Sequence, residues 1–150
     1  MRNVLLSQLG LILVMTSLSW AQTLTPTAVA TISQIQKAMI TPASDAIFNV
    51  GRTAPTNDDQ WQALEDAAVI LTEAGNLYMM EGRRKDEKQW MEFTTAMVAA
   101  GTQALRAVEA RDVNGLLDAG NNLIEVCEAC HQPYRDGGRA MGPPPEAENR

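Results

Sequence analysis

Histidine and cysteine are scarce in this chain: one of the first and two of the second in 150 residues. A structural zinc site takes four protein ligands, so Cys and His alone cannot build one here. Basic residues are also in the minority, 12 Lys and Arg against 18 Asp and Glu, for a formal net charge of −6. That balance argues against nucleic acid as a partner, because phosphate recognition calls for a basic face. No apolar run reaches the roughly 20 residues needed to span a bilayer. Internal repeats are absent, and the length is that of one domain.

The first 21 residues read as a secretory signal. Arg2 supplies the positive start, and Leu9 to Leu18 form an apolar stretch broken only by Thr16 and Ser17. Ser19-Trp20-Ala21 places small residues at the −3 and −1 positions for cleavage before Gln22. The stretch is short for a span, so cleavage is expected, and a membrane association would arise only if the signal stayed attached. Arg2 is the signal's only charged residue, so cleavage takes the net charge from −6 to −7. Residues 22–136 are then the folded domain. A tail over 137–150, with three consecutive prolines, is expected to be disordered.

Within the domain, apolar residues recur at helical spacing four times. Ile32, Ile35, Met39, Ala43, Ala46, Ile47 and Val50 mark helix 1, from about Thr27. Pro42 interrupts it, and predicts either a kink at 38–42 or a restart there, since proline lacks the amide that Ala38 would receive. Trp61, Leu64, Ala68, Leu71, Gly75 and Tyr78 mark helix 2, flanked by Ile70, Ala74 and Leu77, with N-cap residues at 56–59 and an end near Gly82. Trp90, Phe93, Met97, Ala100, Ala104 and Val108 mark helix 3, starting near Asp86. Leu116, Leu117, Leu123, Ile124 and Cys127 mark helix 4, capped by Asp112 or Asn114 and stopped by Gly137-Gly138. Four helices of roughly 20–25 residues, each on the order of 30–35 Å long, with short connections, predict an all-α, up-down-up-down four-helix bundle. Trp61 and Trp90 are read as packing anchors, and Arg83-Arg84-Lys85 as a solvated turn that could also dock an acidic redox partner.

The chain's chemistry is concentrated in Cys127-Glu128-Ala129-Cys130-His131, which contains both cysteines and the one histidine. This is C-x-x-C-H, the pattern that accepts covalent c-type haem. Two thiols about one helical turn apart can add to the two vinyl groups of one porphyrin, and the adjacent imidazole can reach the iron. On a helix these three positions share a face. Three other readings fit the sequence less well. A thioredoxin-type redox pair follows a strand in a βαβ pattern, and no strand pattern precedes this one. For zinc, Glu128 would have to complete the ligand set from the opposite side of the helix. A disulfide across three residues would close a tiny loop and stabilise little. The expected cofactor is one haem c, held through Cys127 and Cys130.

Four helices with C-x-x-C-H inside the last one resemble the class II c-type cytochromes, the cytochromes c prime and their Met-ligated, low-spin relatives. The resemblance covers Thr27 to Arg135. Its most specific part is Cys127-x-x-Cys130-His131-x-x-Tyr134-Arg135, because an aromatic and a basic residue commonly follow the haem histidine in that family. It implies thioether links at Cys127 and Cys130, His131 as proximal iron ligand, and Arg135 near the proximal haem face or a propionate, unless it is a solvated helix-end arginine. It also implies haem attachment outside the cytoplasm by a dedicated machinery, in agreement with the signal and a periplasmic location. Many family members pair as homodimers through helices 1 and 2, which the sequence leaves open.

With His131 used, no second histidine remains, so bis-His ligation within one chain is excluded. The family covers the opposite haem face with a residue of helix 1: a methionine in low-spin members, an apolar residue in five-coordinate ones. Met39, the only methionine of helix 1, is the candidate sixth ligand. Met79 and Met80 compete with it, and Met91 and Met97 read as core. A Met on an apolar stripe is by itself more often core filler. Ligation of iron by His and Met raises the reduction potential and saturates the metal, which suits a carrier of single electrons between redox partner proteins. An open site would instead suit NO or CO binding. Peroxidase chemistry would need a distal acid or base as well as an open iron, and there is no second histidine to serve; a non-enzymatic role is expected.

Overall fold

The structure, a computed structural model, describes residues 25–135. The expected signal over 1–21 and the expected tail over 137–150 lie outside the described residues. The elements are α1 (Ile32–Ile35), a π-helical turn (Gln36–Ile40), α2 (Thr41–Asn49), α3 (Asp58–Met79), α4 (Gln89–Glu109) and α5 (Val113–Tyr134). Among the described residues there is no strand, and no helix is long and apolar enough to cross a membrane. The first three elements form one continuous helix, so four helices pack together as an all-α bundle.

Pro42 explains the first helix. In an uninterrupted α-ladder its missing amide would leave the Ala38 carbonyl without a donor. The chain instead widens by one residue ahead of the proline, and Thr41 N–H reaches back five positions to the Gln36 carbonyl. The helix neither breaks nor restarts; it passes through a π-turn. It also begins at Ile32 rather than near Thr27, because Thr31 and Gln34 form a reciprocal capping box. Asn57 caps α3 through its side chain, and the acidic Asp58 and Asp59 occupy the first turn. Gly82, at φ 86°, turns the chain out of α3.

Consecutive helices run antiparallel. Tyr78 of α3 meets Ile32 and Gln36, Gly75 meets Thr94 and Val98 of α4, and Gln103 of α4 accepts from Asn122 of α5 at 2.7 Å. The core is formed by the stripes read from sequence: Ile35, Ile47, Leu64, Ala68, Leu71, Tyr78, Trp90, Met97, Ala100, Ala104, Leu116 and Leu123 are all buried. Two residues expected on the buried side of the last helix are not there, since Leu117 and Ile124 are exposed. The face of α5 that meets the bundle follows Leu116, Ala119, Gly120 and Leu123, and Leu117 and Ile124 each lie one position round from it.

Candidate functional site

The last turns of α5 place Cys127, Cys130 and His131 along one cleft of about 350 Å³, within the size range of small-molecule and cofactor pockets. Three other segments complete its walls. The start of helix 1 supplies Ile32, Gln36, Lys37 and Ile40, α3 supplies Tyr78, and α4 supplies Trp90, Phe93, Thr94 and Met97. Lys85 from the α3–α4 loop and Arg135 at the end of α5 also line it.

An aromatic cluster forms the α4 wall. Trp90 is almost fully buried and donates its indole N–H to the Tyr78 carbonyl at 2.9 Å. Its ring stands edge-on to Tyr134, with centroids 5.0 Å apart, and Phe93 meets Tyr134 in the same way at 6.3 Å. Asp86 fastens the two helix ends beneath them. One carboxylate oxygen accepts the Lys88 and Trp90 amides, and the other accepts the Tyr134 hydroxyl. Because Asp86 caps from outside the helix, α4 starts at Gln89, three residues later than the spacing of its apolar residues implied. The Tyr78 hydroxyl lies 3.2 Å from the Ile32 carbonyl and 3.1 Å from Gln36 Oε1, so its one proton serves the turn where α1 passes into the π-segment.

Both cysteines are free thiols and partly buried. Burial raises the Cys127 thiol, with Glu128 adding to it; burial, and then Cys127, push Cys130 up to about 11. Activated redox cysteines show the opposite shift, so these are protonated thiols at neutral pH rather than a thiolate pair. Burial, and then the Arg135 cation, lower His131 below the ordinary imidazole value. A neutral imidazole has a lone pair free for a metal. Among the described residues no cluster of three or more His, Cys, Asp or Glu side chains is arranged to hold a metal ion. The three side chains border one cleft.

The candidate sixth ligand is placed elsewhere. Met39 is partly buried against the core and lines a separate surface groove with Val29, Ala30, Gln34, Ile35 and Ala38. The residues of helix 1 that line the cleft sit at 32, 33, 36, 37 and 40, to one side of it. Met80 accepts from the Arg83 guanidinium at 3.0 Å, and Met97 is the only methionine among the described residues that line the cleft. The basic turn also divides in a way spacing could not show. Arg83 is buried, donating to the Ala30 carbonyl at 2.8 Å and the Leu77 carbonyl at 3.1 Å, so it is a latch and not part of a docking face. Arg84 pairs with Glu87 at 3.0 Å, and only Lys85 reaches the cleft. The aromatic wall of Tyr78, Trp90, Phe93 and Tyr134 and the capping role of Asp86 were not anticipated as site features, although Tyr134 stood in the motif's own extension.

No protein-family model, curated protein or solved structure matches this chain.

Proposed function

We propose that the protein is a monohaem c-type cytochrome of the class II kind, exported to the periplasm, that carries single electrons through an iron held by His131. The observation that carries this reading is the meeting of Cys127, Cys130 and His131 in one cleft with apolar walls from three other segments. The cleft fits the group: Ile32, Ile40, Trp90, Phe93, Met97 and Val126 supply apolar surface, both thiols are free, and the imidazole is neutral. The haem would supply an iron that changes oxidation state by one electron. The protein's part is to hold and shield it. Cys127 and Cys130 would each add S–H across a vinyl group, His131 would ligate through its free ring nitrogen, and the Trp90–Tyr134 cluster would keep the wall rigid and exclude water.

Met39 would become the sixth ligand only if helix 1 turned about its axis. It belongs to the π-segment, a kind of turn that is found frequently at functional sites. Its present position outside the cleft is the specific observation that favours a second reading, an open iron that binds NO or CO. Optical spectra of the holoprotein with and without CO, alongside Met39→Ala, separate the two. A low-spin spectrum that CO leaves alone and the substitution abolishes identifies the electron carrier. A high-spin spectrum that shifts with CO, unchanged in the variant, replaces it with the gas-binding reading.

A further inference from the structure

The charge around the cleft runs against the charge of the chain. Acidic residues outnumber basic ones 18 to 12 in the sequence, yet among the described residues no Asp or Glu lines the cleft, while Lys37, Lys85 and Arg135 do. They come from three elements far apart in sequence, the π-segment, the α3–α4 loop and the end of α5, and tertiary structure alone brings them together. Among the described residues the ion pairs are Arg84–Glu87 and Arg111–Asp58, so none of the three cleft cations is paired with a described carboxylate. All three are exposed, which places them at the mouth rather than the floor, and the apolar walls lie inward of them.

An apolar cleft with cations at its mouth is complementary to a molecule that is apolar over its faces and anionic along one edge. We propose that Lys37, Lys85 and Arg135 are the carboxylate-binding residues of this site, taking the two acid groups of a planar tetrapyrrole. Resting on the haem reading above, the proposal assigns each end of the ligand. The thiols and the imidazole hold the ring, and the cationic mouth sets which edge faces out. Solvent-exposed charge pairs are each worth little, about a two- to fivefold change in affinity, so the three act as an orienting set rather than as the main source of binding.

The test uses the full chain with Cys127→Ala and Cys130→Ala, which removes covalent attachment and makes binding reversible. Ferric haem and its dimethyl ester, which lacks both charges, are titrated in parallel. Haem is expected to bind on the order of tenfold tighter than the ester, with an advantage that shrinks as salt is added. Adding Lys37→Gln, Lys85→Gln or Arg135→Gln should weaken haem and leave the ester unchanged. Equal affinity for haem and ester overturns the proposal and leaves the haem reading standing. Binding of neither, to a chain that retains its helical circular dichroism, overturns this proposal, whereas the haem reading itself falls only if the parent chain takes up no covalent haem. If the double-cysteine variant does not fold, the holoprotein serves instead. There, Lys37→Gln and Lys85→Gln should raise the pH at which carboxylate titration moves the reduction potential, and an unmoved curve overturns the assignment.

Discussion

Asp86 joins the beginning of α4 to the end of α5 with a single carboxylate, by accepting two amides at one helix end and the Tyr134 hydroxyl at the other. The hydroxyl bond, the largest contribution, and the amides hold its pKa below the ordinary carboxylate value. A group whose pKa is lower in the folded state contributes stability above its unfolded value, and that contribution is lost as pH falls through the folded value. Asp86→Asn should therefore lower the melting temperature at neutral pH, with the gap to the parent closing as the solution is acidified. Thermal unfolding over a pH series checks this, and a gap that stays constant into acid would contradict it. The same bond acts in the opposite direction on Tyr134, pushing its hydroxyl up from 10.0 to about 12. Stability from the neutral phenol is fully present below the unfolded value and is lost as pH rises through the folded one. Tyr134→Phe should flatten that alkaline loss in the same series, leaving the part due to Tyr78, whose hydroxyl is raised by burial and by the two cysteines.

Between α3 and α4, two glycines set the separation of the helices. A Cβ on Gly101 would lie 2.9 Å from the Thr72 amide nitrogen, and one on Gly75 would lie 2.7 Å from a Val98 methyl. Alanine in a helix gains up to about 1 kcal/mol over glycine, whereas overpacking costs about 1–3 kcal/mol. Because the obstacle at Gly101 is backbone, the cost wins, and Gly101→Ala should destabilise by about 1–2 kcal/mol in urea unfolding. Gly120 is the opposite case. Its Cβ would meet Ile47 at 3.7 Å, ordinary contact, so Gly120→Ala should stabilise by about 0.5–1 kcal/mol. A gain at Gly101 or a loss at Gly120 would show that the helix separation is misjudged. At the other end of α3, Arg83→Met removes three bonds that tie residue 30 and the helix end together. Hydrogen bonds to charged groups are worth about 1.5–3 kcal/mol, and faster hydrogen exchange around residues 28–31 should accompany a loss of that size. Unchanged exchange there would remove the latch.

Across the whole molecule, what could be read in advance was what repeats along the chain. The stripe from Leu64 through Leu71 to Tyr78 and the one from Trp90 to Val108 are buried as the 3.6-residue period requires, and their order and spacing are enough for a four-helix all-α fold. What could not be read depends on distant partners. Burial of Arg83 depends on the Ala30 and Leu77 carbonyls, exposure of Leu117 and Ile124 on how α5 is rotated in the bundle, and the π-turn on how the helix accommodates Pro42. For the site, Cys127, Cys130 and His131 were legible because their spacing is local. The cleft wall facing them is assembled from residues 32 to 97, which no local pattern joins, and Met39, inferred from its position along helix 1, lies one groove away.

The proposed covalent attachment at the two cysteines can be read from the intact mass of the protein after export in a host that matures c-type cytochromes, measured under denaturing acid conditions. A mass increased by one haem is expected in the parent chain, and no increase in the Cys127→Ala/Cys130→Ala variant. A parent chain with no added mass, or a double variant that keeps it, would contradict the assignment of this cleft.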